Sequence, residues 1–303
     1  MKAVVIGYGG IGARHVRWLE ELGHDVAVVS RRPVDAKRRY ATVVDAVKNF
    51  APDYAVIASR TVEHLDDLAQ LAVTGFDGLV LVEKPLFVEP AALPAHRFAG
   101  VFVAYNLRFN AVVRAAKQIL DGETLIALHA YVGQYLPDWR PTRDYRAVYS
   151  ARRTEGGGAL RDLSHELDMV TWCAGDWTRL AETGGHLSPL EIDSDDVFAL
   201  LVETPRCKAV TVNMNYLDDA MHRDVVALTG KGTLRADLVA GTVTFGGRLS
   251  VFNVVRDDMY RDQHRAILDG RADGACTLAE GIAVTSMIAA AERAARDHVW
   301  VTR

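Results

Sequence analysis

The first twelve residues of the chain place a glycine-rich turn between a short apolar run and a helical pattern. The run Lys2–Ile6 predicts a buried strand, and the residues from Ala13 to Leu22 have helical spacing. Between them stands Gly7-Tyr8-Gly9-Gly10-Ile11-Gly12, a Gly-x-Gly-x-x-Gly sequence. The first glycine permits a tight turn, the second lets phosphates approach the backbone, and the third lets helix and strand pack closely. The segment therefore predicts a dinucleotide site at a helix N-terminus.

The first hundred residues keep alternating between short apolar runs and helical stretches. Strands are predicted at Lys2–Ile6, Asp25–Val29, Tyr54–Ala58, Leu79–Glu83 and Val101–Ala104, and the clearest helices at Ile11–Leu22 and Val62–Thr74. Short apolar runs separated by helices indicate a parallel sheet that is covered on both faces. We therefore predict an α/β Rossmann N-terminal domain over residues 1–108.

The second part of the chain has a different pattern, in which strand-like runs follow one another. Strands are predicted at Leu125–Val132, Val197–Glu203, Ala209–Asn215, Val225–Thr229, Gly241–Phe245 and Leu249–Phe252, and helices at Ala111–Leu120, Ala159–Cys173, Tyr260–Leu268 and Leu278–Ala295. The glycines at 230, 232, 246 and 247 are typical of hairpin turns. The pattern predicts an α+β C-terminal domain over residues 109–303 on a mostly antiparallel sheet, with the option that the last helix packs back on the first domain.

Composition and charge argue against several function classes. The chain has 303 residues, half of them hydrophobic, and a net charge of −4, which gives no reason to expect nucleic acid or a membrane surface as partner. No apolar run approaches the roughly 20 residues that span a bilayer. Cys173, Cys207 and Cys276 form no disulfide framework or zinc pattern, which favours buried thiols and a cytoplasmic protein.

The end of the second strand indicates which dinucleotide binds. Sites for NAD usually place Asp or Glu there, about 20 residues beyond the glycines, to bind the ribose 2′-hydroxyl. This strand ends instead in Ser30-Arg31-Arg32-Pro33, and a hydroxyl with two guanidinium groups suits a 2′-phosphate. We therefore predict NADP in preference to NAD. The alternative is a solvated basic turn.

Lys84 follows the buried strand Leu79–Glu83 and precedes Pro85, which biases it toward extended backbone. Ligands of open α/β sheets bind outside the carboxyl ends of the strands. A lysine at this edge is suited to donate a proton or hydrogen bond to a substrate oxygen while a hydride moves. The alternative is an ordinary solvated lysine at a strand end.

A predicted helix at Ala159–Cys173 follows Gly156-Gly157-Gly158 and carries Asp162, His165 and Asp168 at successive spacings of three. Such positions share one side of a helix. A carboxylate one turn from a histidine can orient it for acid–base chemistry. One alternative is a surface histidine. A metal site has little weight because hydride transfer from nicotinamide needs no metal, and we predict none.

In this order the motifs resemble those of the glucose–fructose oxidoreductase, inositol dehydrogenase and rhizopine-catabolism (Gfo/Idh/MocA) family. The principal motifs are Gly7-x-Gly9-x-x-Gly12, Glu83-Lys84-Pro85, Gly156-Gly157-Gly158 and Asp162–Asp168. Further similar segments are Ala58–His64, Tyr105–Phe109, Gly230–Thr233 and the final amphipathic helix. The family usually reads Thr-Pro-x-x-x-His in the first of these, where this chain has Arg60 in place of the proline.

The resemblance implies a C-terminal domain with an open, mainly antiparallel sheet, and NAD(P)-dependent oxidation or reduction of a sugar-like hydroxyl or carbonyl. It implies that Lys84 and His165 are catalytic, and we add Asp162, three residues before His165, as the acid that can assist this histidine. Many members have an aspartate four residues before the histidine, where this chain has Arg161. The candidate cofactor-binding residues are Gly7, Gly9, Gly10, Ile11, Gly12, Ser30, Arg31, Arg32, Ser59, Arg60, His64, Glu83 and Lys84. The candidate substrate-binding residues are Lys84, Asn106, Trp139, Arg140, Arg143, Tyr145, Arg161 and Asp168.

The loop over residues 135–146 interleaves arginines with Trp and Tyr, and it resembles a subgroup associated with surface-polysaccharide and nucleotide-sugar gene sets. Charge and stacking suit an anionic, ring-bearing substrate, whereas the alternative is a loop held by its own side chains. Three functions follow: a sugar oxidoreductase, a non-catalytic NAD(P)-binding sensor of the same fold, or a reductase of a non-sugar ring. The resemblance also implies a homodimer or homotetramer that pairs through the open sheet.

Overall fold

The computed structural model describes all 303 residues, Met1–Arg303. In chain order the strands are β1 (Lys2–Ile6), β2 (Asp25–Val29), β3 (Arg39–Tyr40), β4 (Tyr54–Ile57), β5 (Leu79–Val82), β6 (Gly100–Val103), β7 (Leu125–Gly133), β8 (Arg179–Gly185), β9 (Val197–Glu203), β10 (Ala209–Asn215), β11 (His222–Thr229), β12 (Gly232–Asp237), β13 (Thr242–Phe245), β14 (Arg248–Val251), β15 (Cys276–Thr277) and β16 (Val301–Thr302). The α-helices are α1 (Gly10–Glu21), α2 (Val43–Phe50), α3 (His64–Val73), α4 (Ala111–Asp121), α5 (Ala159–Asp162), α6 (His165–Ala174), α7 (Asp258–Leu268) and α8 (Leu278–Asp297).

The chain forms two compact units. The first contains Met1–Phe109 together with Val255–Ile282, and the second contains Asn110–Val254 together with Ala283–Arg303. The sequence analysis placed all residues after 108 in one domain, whereas the segment with α7 and β15 belongs to the first unit. The physical reason is that α7 packs on α1, and β15 pairs with β6.

The first unit is built on a seven-stranded sheet in the order β15-β6-β5-β4-β1-β2-β3. Neighbouring strands from β1 to β6 are parallel, and only β15 runs antiparallel to its neighbour. The inner strands are buried on both faces, as the continuous apolar runs predicted. The chain leaves β1 toward β2 on one side and reaches β4 on the other, so the carboxyl ends of β1 and β4 flank the crevice where ligands of such sheets bind.

The second unit is built on a nine-stranded sheet in the order β14-β13-β12-β11-β7-β10-β9-β8-β16. All neighbouring strands are antiparallel except β7 and β10. Side chains alternate along β9, where Phe198, Leu200 and Val202 are buried and Leu201 is 53% exposed. The helices α4 and α6 pack on strands of this sheet. The predicted fold class, an α/β Rossmann N-terminal domain and an α+β domain with an open, mainly antiparallel sheet, is confirmed.

One predicted helix is wrong. The stretch predicted as a continuous helix over Ala159–Cys173 is two helices, α5 and α6, separated by Leu163 and Ser164. Across the break, tighter i→i−3 bonds join the Ser164 amide to the Arg161 carbonyl and the Glu166 amide to the Leu163 carbonyl. The sequence analysis also missed β8, β12 and α2, of which α2 is short and starts at a Thr42 cap that accepts the Asp45 amide.

None of the helices combines the length and the hydropathy that a bilayer crossing requires.

Candidate functional site

The four predicted glycines of the first loop have two different roles. Gly7 has φ +93°, and a Cβ there would lie 2.6 Å from the Ala58 carbonyl oxygen, while a Cβ at Gly12 would lie 2.2 Å from the Gly7 oxygen. Both positions therefore exclude any side chain. A Cβ at Gly9 or Gly10 would meet nothing within 4 Å. The loop is thus tightly packed at Gly7 and Gly12 and open at Gly9 and Gly10.

The helix that follows this loop is open at its N-terminus. Gly9 caps α1 without a side-chain hydrogen bond, and the first turn contains no acidic residue. The amides of the first turn and the positive end of the helix dipole are therefore available to an anion. Ile11 in that turn is half-buried. These observations fit the cradle that a dinucleotide pyrophosphate needs.

The basic turn after β2 is exposed and internally braced. Arg31 and Arg32 are exposed, and the Ser30 hydroxyl accepts the Arg32 amide at 3.2 Å in a local turn. The Arg39 guanidinium donates to the Ser30 carbonyl at 2.9 Å, a contact that sequence reasoning missed. The Tyr8 hydroxyl donates to the Asp35 carbonyl at 2.9 Å and so joins the glycine loop to the segment just after the basic turn.

The loop after β4 holds three of the predicted cofactor residues. The Ser59 hydroxyl donates to Asp67 at 2.6 Å, and burial raises the pKa of Asp67 to about 6. Arg60 is exposed and pairs with Glu63 at 2.8 Å. His64 is buried with its ring nitrogens 3.1 Å from the Leu86 carbonyl and 3.3 Å from the Ser59 carbonyl, and burial lowers its pKa. His64 thus joins two loops at this edge of the sheet.

Glu83 and Lys84 stand at the end of β5. The Glu83 side chain is nearly buried, and its Oε2 accepts the Lys84 amide at 3.2 Å. Its Oε1 lies 2.8 Å from Nε2 of His15, which α1 contributes. Lys84 itself is half-buried. Asn106, another predicted residue of this unit, is buried in the 3₁₀ turn Asn106–Phe109.

A buried row of polar groups continues from His15 into the interior of the first unit. Nδ1 of His15 lies 2.9 Å from Nε2 of His264 on α7, and Nδ1 of His264 lies 3.0 Å from the Tyr54 hydroxyl on β4. Burial lowers the pKa of His264 well below its ordinary value and raises that of Tyr54 well above its own. Sequence reasoning missed all three residues, although the third residue after the Gly12 motif is a histidine.

In the second unit, Asp162 is held by two tyrosines. Its Oδ1 accepts the Tyr149 hydroxyl at 2.5 Å, and its Oδ2 accepts the Tyr216 hydroxyl at 2.7 Å. Burial, and then the Asp162 carboxylate, raise the pKa of both phenols well above the ordinary value. Both tyrosines are therefore neutral donors toward this carboxylate.

Asp162, His165 and Asp168 do not share one helix, contrary to the prediction. Asp162 ends α5, whereas His165 begins α6 and Asp168 is buried in its first turn. The break between the two helices removes the argument from the spacing of three. In the same turn, Glu166 accepts a forked pair of bonds from Arg223 at 2.7 and 3.2 Å.

The predicted substrate residues of the second unit fall into two groups. Arg161 is buried, and its guanidinium binds Glu292 of α8 at 2.7 and 3.0 Å. Trp139 packs edge-on against Tyr216, while Arg140 and Arg143 are exposed. A small cavity is lined by Leu136, Pro137, Trp139, Arg140, Tyr145, Val148 and Ser150. No group of three or more His, Cys, Asp or Glu side chains is arranged to share a metal ion.

Comparison with known proteins identifies the second unit first. Residues 113–235 match the model of the GFO/IDH/MocA C-terminal domain. No curated protein sequence matches the chain. Three solved structures share the whole fold at low sequence identity, and each comparison covers 100% of this chain.

GenD2 from gentamicin A biosynthesis, in complex with NAD, is 21% identical over 96% of its own chain, with a TM-score of 0.82. The WlbA dehydrogenase from Bordetella pertussis, in complex with NADH and UDP-GlcNAcA, is 19% identical over 98% of its chain, with a TM-score of 0.78. The apo form of levoglucosan dehydrogenase is 14% identical over 98% of its chain, with a TM-score of 0.85. Residues 113–235 are therefore similar to the GFO/IDH/MocA C-terminal domain, and the whole chain shares the fold of these three solved structures.

Proposed function

We propose that the protein is a nicotinamide-dependent oxidoreductase that acts on a CH–OH group or the corresponding carbonyl of a sugar derivative. The observation that carries the proposal is the glycine loop, in which Gly7 and Gly12 are closed to any side chain while Gly9 and Gly10 face open space at a helix N-terminus. That pairing suits a pyrophosphate bound against backbone amides. Solved structures of similar fold were obtained with NAD or NADH.

A single substitution tests this cradle. Gly9 has φ −84°, which any residue adopts, so Gly9→Val is expected to fold normally while its side chain occupies the open space. We expect the variant to lose at least tenfold in affinity for NADPH and NADH, measured by fluorescence quenching, with an unchanged melting temperature. Gly122→Ala is the matched control, because Gly122 has φ −87° and also has room for a methyl group. Undiminished binding by Gly9→Val would contradict the proposed site.

We further propose that NADP is preferred to NAD. The support is the turn Ser30-Arg31-Arg32, which has two exposed guanidinium groups and no acid to bind a ribose 2′-hydroxyl. Arg39 braces the same turn through the Ser30 carbonyl. The neighbours solved with a dinucleotide, GenD2, WlbA and levoglucosan dehydrogenase, contain NAD or NADH, so the preference rests on this turn alone.

The basic turn is tested by Arg31→Ala. We expect NADPH affinity to fall about tenfold, since a charge-assisted bond to phosphate is lost, while NADH affinity stays within about twofold. Equal affinity of the wild type for the two dinucleotides would remove the 2′-phosphate argument and leave the cradle intact.

For the chemistry, we propose Lys84 and His165 as the groups that handle the proton of the substrate hydroxyl, with Asp162 and Asp168 as orienting carboxylates. A bound nicotinamide supplies the hydride acceptor or donor. Lys84 is half-buried at the carboxyl end of β5, where ligands of such sheets bind. His165 stands at the first position of α6. Both side chains have the titrating groups that general acid–base catalysis requires.

For the substrate, we propose a sugar or sugar derivative, in surface-polysaccharide or nucleotide-sugar metabolism. The support is the loop with Trp139, Arg140, Arg143 and Tyr145, in which two exposed cations stand among aromatic rings. Solved structures of similar fold contain UDP-GlcNAcA or levoglucosan. A panel of free, anionic and nucleotide-linked sugars should change the nicotinamide absorbance with at least one member. Tight cofactor binding without any turnover would favour a sensor of the same fold.

We propose a cytoplasmic homodimer or homotetramer that pairs through the open face of the second unit's sheet. Its outward positions include Leu201 and Leu228, which are 53% and 39% exposed on an otherwise regular sheet. All three cysteines are buried thiols outside any disulfide, which suits a reducing compartment. Light scattering should give a dimer or larger for the wild type. A monomer at micromolar concentration would contradict the proposal, and Leu201→Glu with Leu228→Glu should produce one.

A further inference from the structure

The hydrogen bonds in the buried row of polar groups of the first unit all run in one donor-to-acceptor direction, which the Tyr54 hydroxyl fixes. This side chain is fully buried, and its hydroxyl has one partner, Nδ1 of His264 at 3.0 Å. Burial keeps the phenol protonated, because it raises the pKa of Tyr54 well above its ordinary value. A buried O–H group requires an acceptor. Nδ1 of His264 must therefore accept this bond.

The second step follows from the state of His264. The ring is fully buried, and burial lowers its pKa well below the ordinary value, so it is neutral and carries one proton. Since Nδ1 accepts from Tyr54, that proton lies on Nε2. Nε2 is 2.9 Å from Nδ1 of His15, with the two ring planes 81° apart. Nδ1 of His15 is therefore an acceptor as well.

The third step shows which proton is donated to Glu83. With Nδ1 accepting, the proton of His15 lies on Nε2 and is donated to Glu83 Oε1 at 2.8 Å. The other carboxylate oxygen accepts the backbone amide of Lys84 at 3.2 Å. Every proton in the row therefore points toward this carboxylate. The reverse order would leave the buried Tyr54 O–H without an acceptor.

We propose that His15 and His264 are positioning residues for Lys84, which they hold in register through the oriented carboxylate of Glu83. This proposal rests on the function proposed for Lys84. The four groups come from β4, α7, α1 and the end of β5, so the arrangement needs both segments of the first unit, Met1–Phe109 and Val255–Ile282. Three neutral donors in a fixed order keep the carboxylate in a single orientation, and a misplacement of about 1 Å can cost about a hundredfold in rate.

The proton order is tested without any reference to activity. Nitrogen-15 spectra of the histidine rings, recorded near pH 7, should show His15 and His264 protonated at Nε2 only. In Tyr54→Phe, Nδ1 of His264 loses its donor, and the ring should become a mixture of the two neutral tautomers. A wild-type His264 that is protonated at Nδ1 would overturn the proposed order.

The positioning role is tested by two substitutions at His264. Leucine cannot donate to Nδ1 of His15, whereas the side-chain amide of glutamine can. We expect His264→Leu to lower kcat about tenfold with the KM for the dinucleotide within about twofold, and His264→Gln to regain most of that kcat. A merely structural role would lower the melting temperature of both variants and leave the kcat of the folded enzyme unchanged, and that result would overturn the proposal. A wild type without turnover would refute the proposed function, and the ring spectra would still decide the proton order.

Discussion

Two buried carboxylates, one in each unit, adjoin the residues proposed to handle protons, and they are held in different ways. Glu83 precedes Lys84 and receives its bond from one end of a row of groups, His15, His264 and Tyr54. Asp162 stands near His165 in the sequence and receives two separate bonds, from the hydroxyls of Tyr149 and Tyr216. The first arrangement is a hydrogen-bond chain, and the second is a fork, in which two donors bind the two oxygens of one carboxylate.

The two arrangements differ in how far the effect of one substitution extends. In the hydrogen-bond chain, the position of each proton depends on the group before it, so a change at Tyr54 alters the hydrogen bond that Glu83 receives. In the fork, each tyrosine binds its own oxygen, and removal of one leaves the other in place. A third carboxylate, Glu182 on β8, shows the case without donors. Both of its oxygens are buried without a hydrogen-bond partner, and burial raises its pKa to about 8.

The largest expected effect is at Lys84, which follows Glu83 at the end of the hydrogen-bond chain. Lys84→Met removes the ammonium group but keeps most of the side-chain volume, and we expect kcat to fall about a thousandfold because general acid–base catalysis is lost. Lys48→Met, on the exposed side of α2, is the control and should leave kcat unchanged. Steady-state nicotinamide absorbance measures both. Full turnover by Lys84→Met would remove this residue from the mechanism.

The next effect concerns the acceptor of the fork. Asp162→Ala leaves the hydroxyls of Tyr149 and Tyr216 without this acceptor, and we expect the free energy of unfolding to fall by about 3 kcal/mol. Urea denaturation measures the change. A loss below about 1 kcal/mol would show that the tyrosines find other partners and that the fork is not a structural element.

Glu182 gives a smaller, pH-dependent effect. Its folded-state pKa of about 8 exceeds the ordinary 4.5, so the folded protein binds this proton more tightly, and the contribution to stability is lost as pH rises through about 8. Glu182→Gln should leave the free energy of unfolding unchanged below about pH 4.5 and raise it by about 2 kcal/mol above about pH 8. Glu21→Gln, at an exposed position on α1, is the control. An equal gain at both pH values would contradict the assignment.

The smallest effects separate the two donors of the fork. Tyr216 and its bond to Asp162 are fully buried, whereas Tyr149 is 40% exposed and its bond to Asp162 is only partly buried. We expect Tyr216→Phe to cost about 1.5 kcal/mol and Tyr149→Phe about 0.5 kcal/mol of unfolding free energy. Thermal melts of the two variants in parallel would decide the order. The reverse order would mean that the exposed ring makes the stronger contact.

The part of the account that sequence predicts well is local. The glycine loop is specified largely by its own residues, since Gly12 packs against the Gly7 carbonyl, while Gly7 also abuts the more distant Ala58. Continuous apolar runs such as Leu79–Val82 likewise predict strands buried on both faces. The fold class follows from the order of such runs, and the structure confirms it.

The parts that sequence does not predict depend on residues far apart in the chain. His15 and His264 are 249 positions apart, and no spacing rule connects them. The Arg161 guanidinium binds Glu292, which is 131 positions away. The helix around Asp162 breaks because tighter turns form at Leu163 and Ser164, a choice that tertiary packing makes and helical spacing does not reveal.

The central claim, that the glycine loop binds a nicotinamide dinucleotide, is tested most directly by calorimetric titration of NADPH and NADH into the purified wild type. The account predicts one dinucleotide per chain, with NADPH bound at least several-fold more tightly than NADH. Equal affinities would contradict only the role of the basic turn at Arg31. Absence of binding by both dinucleotides would contradict the central claim.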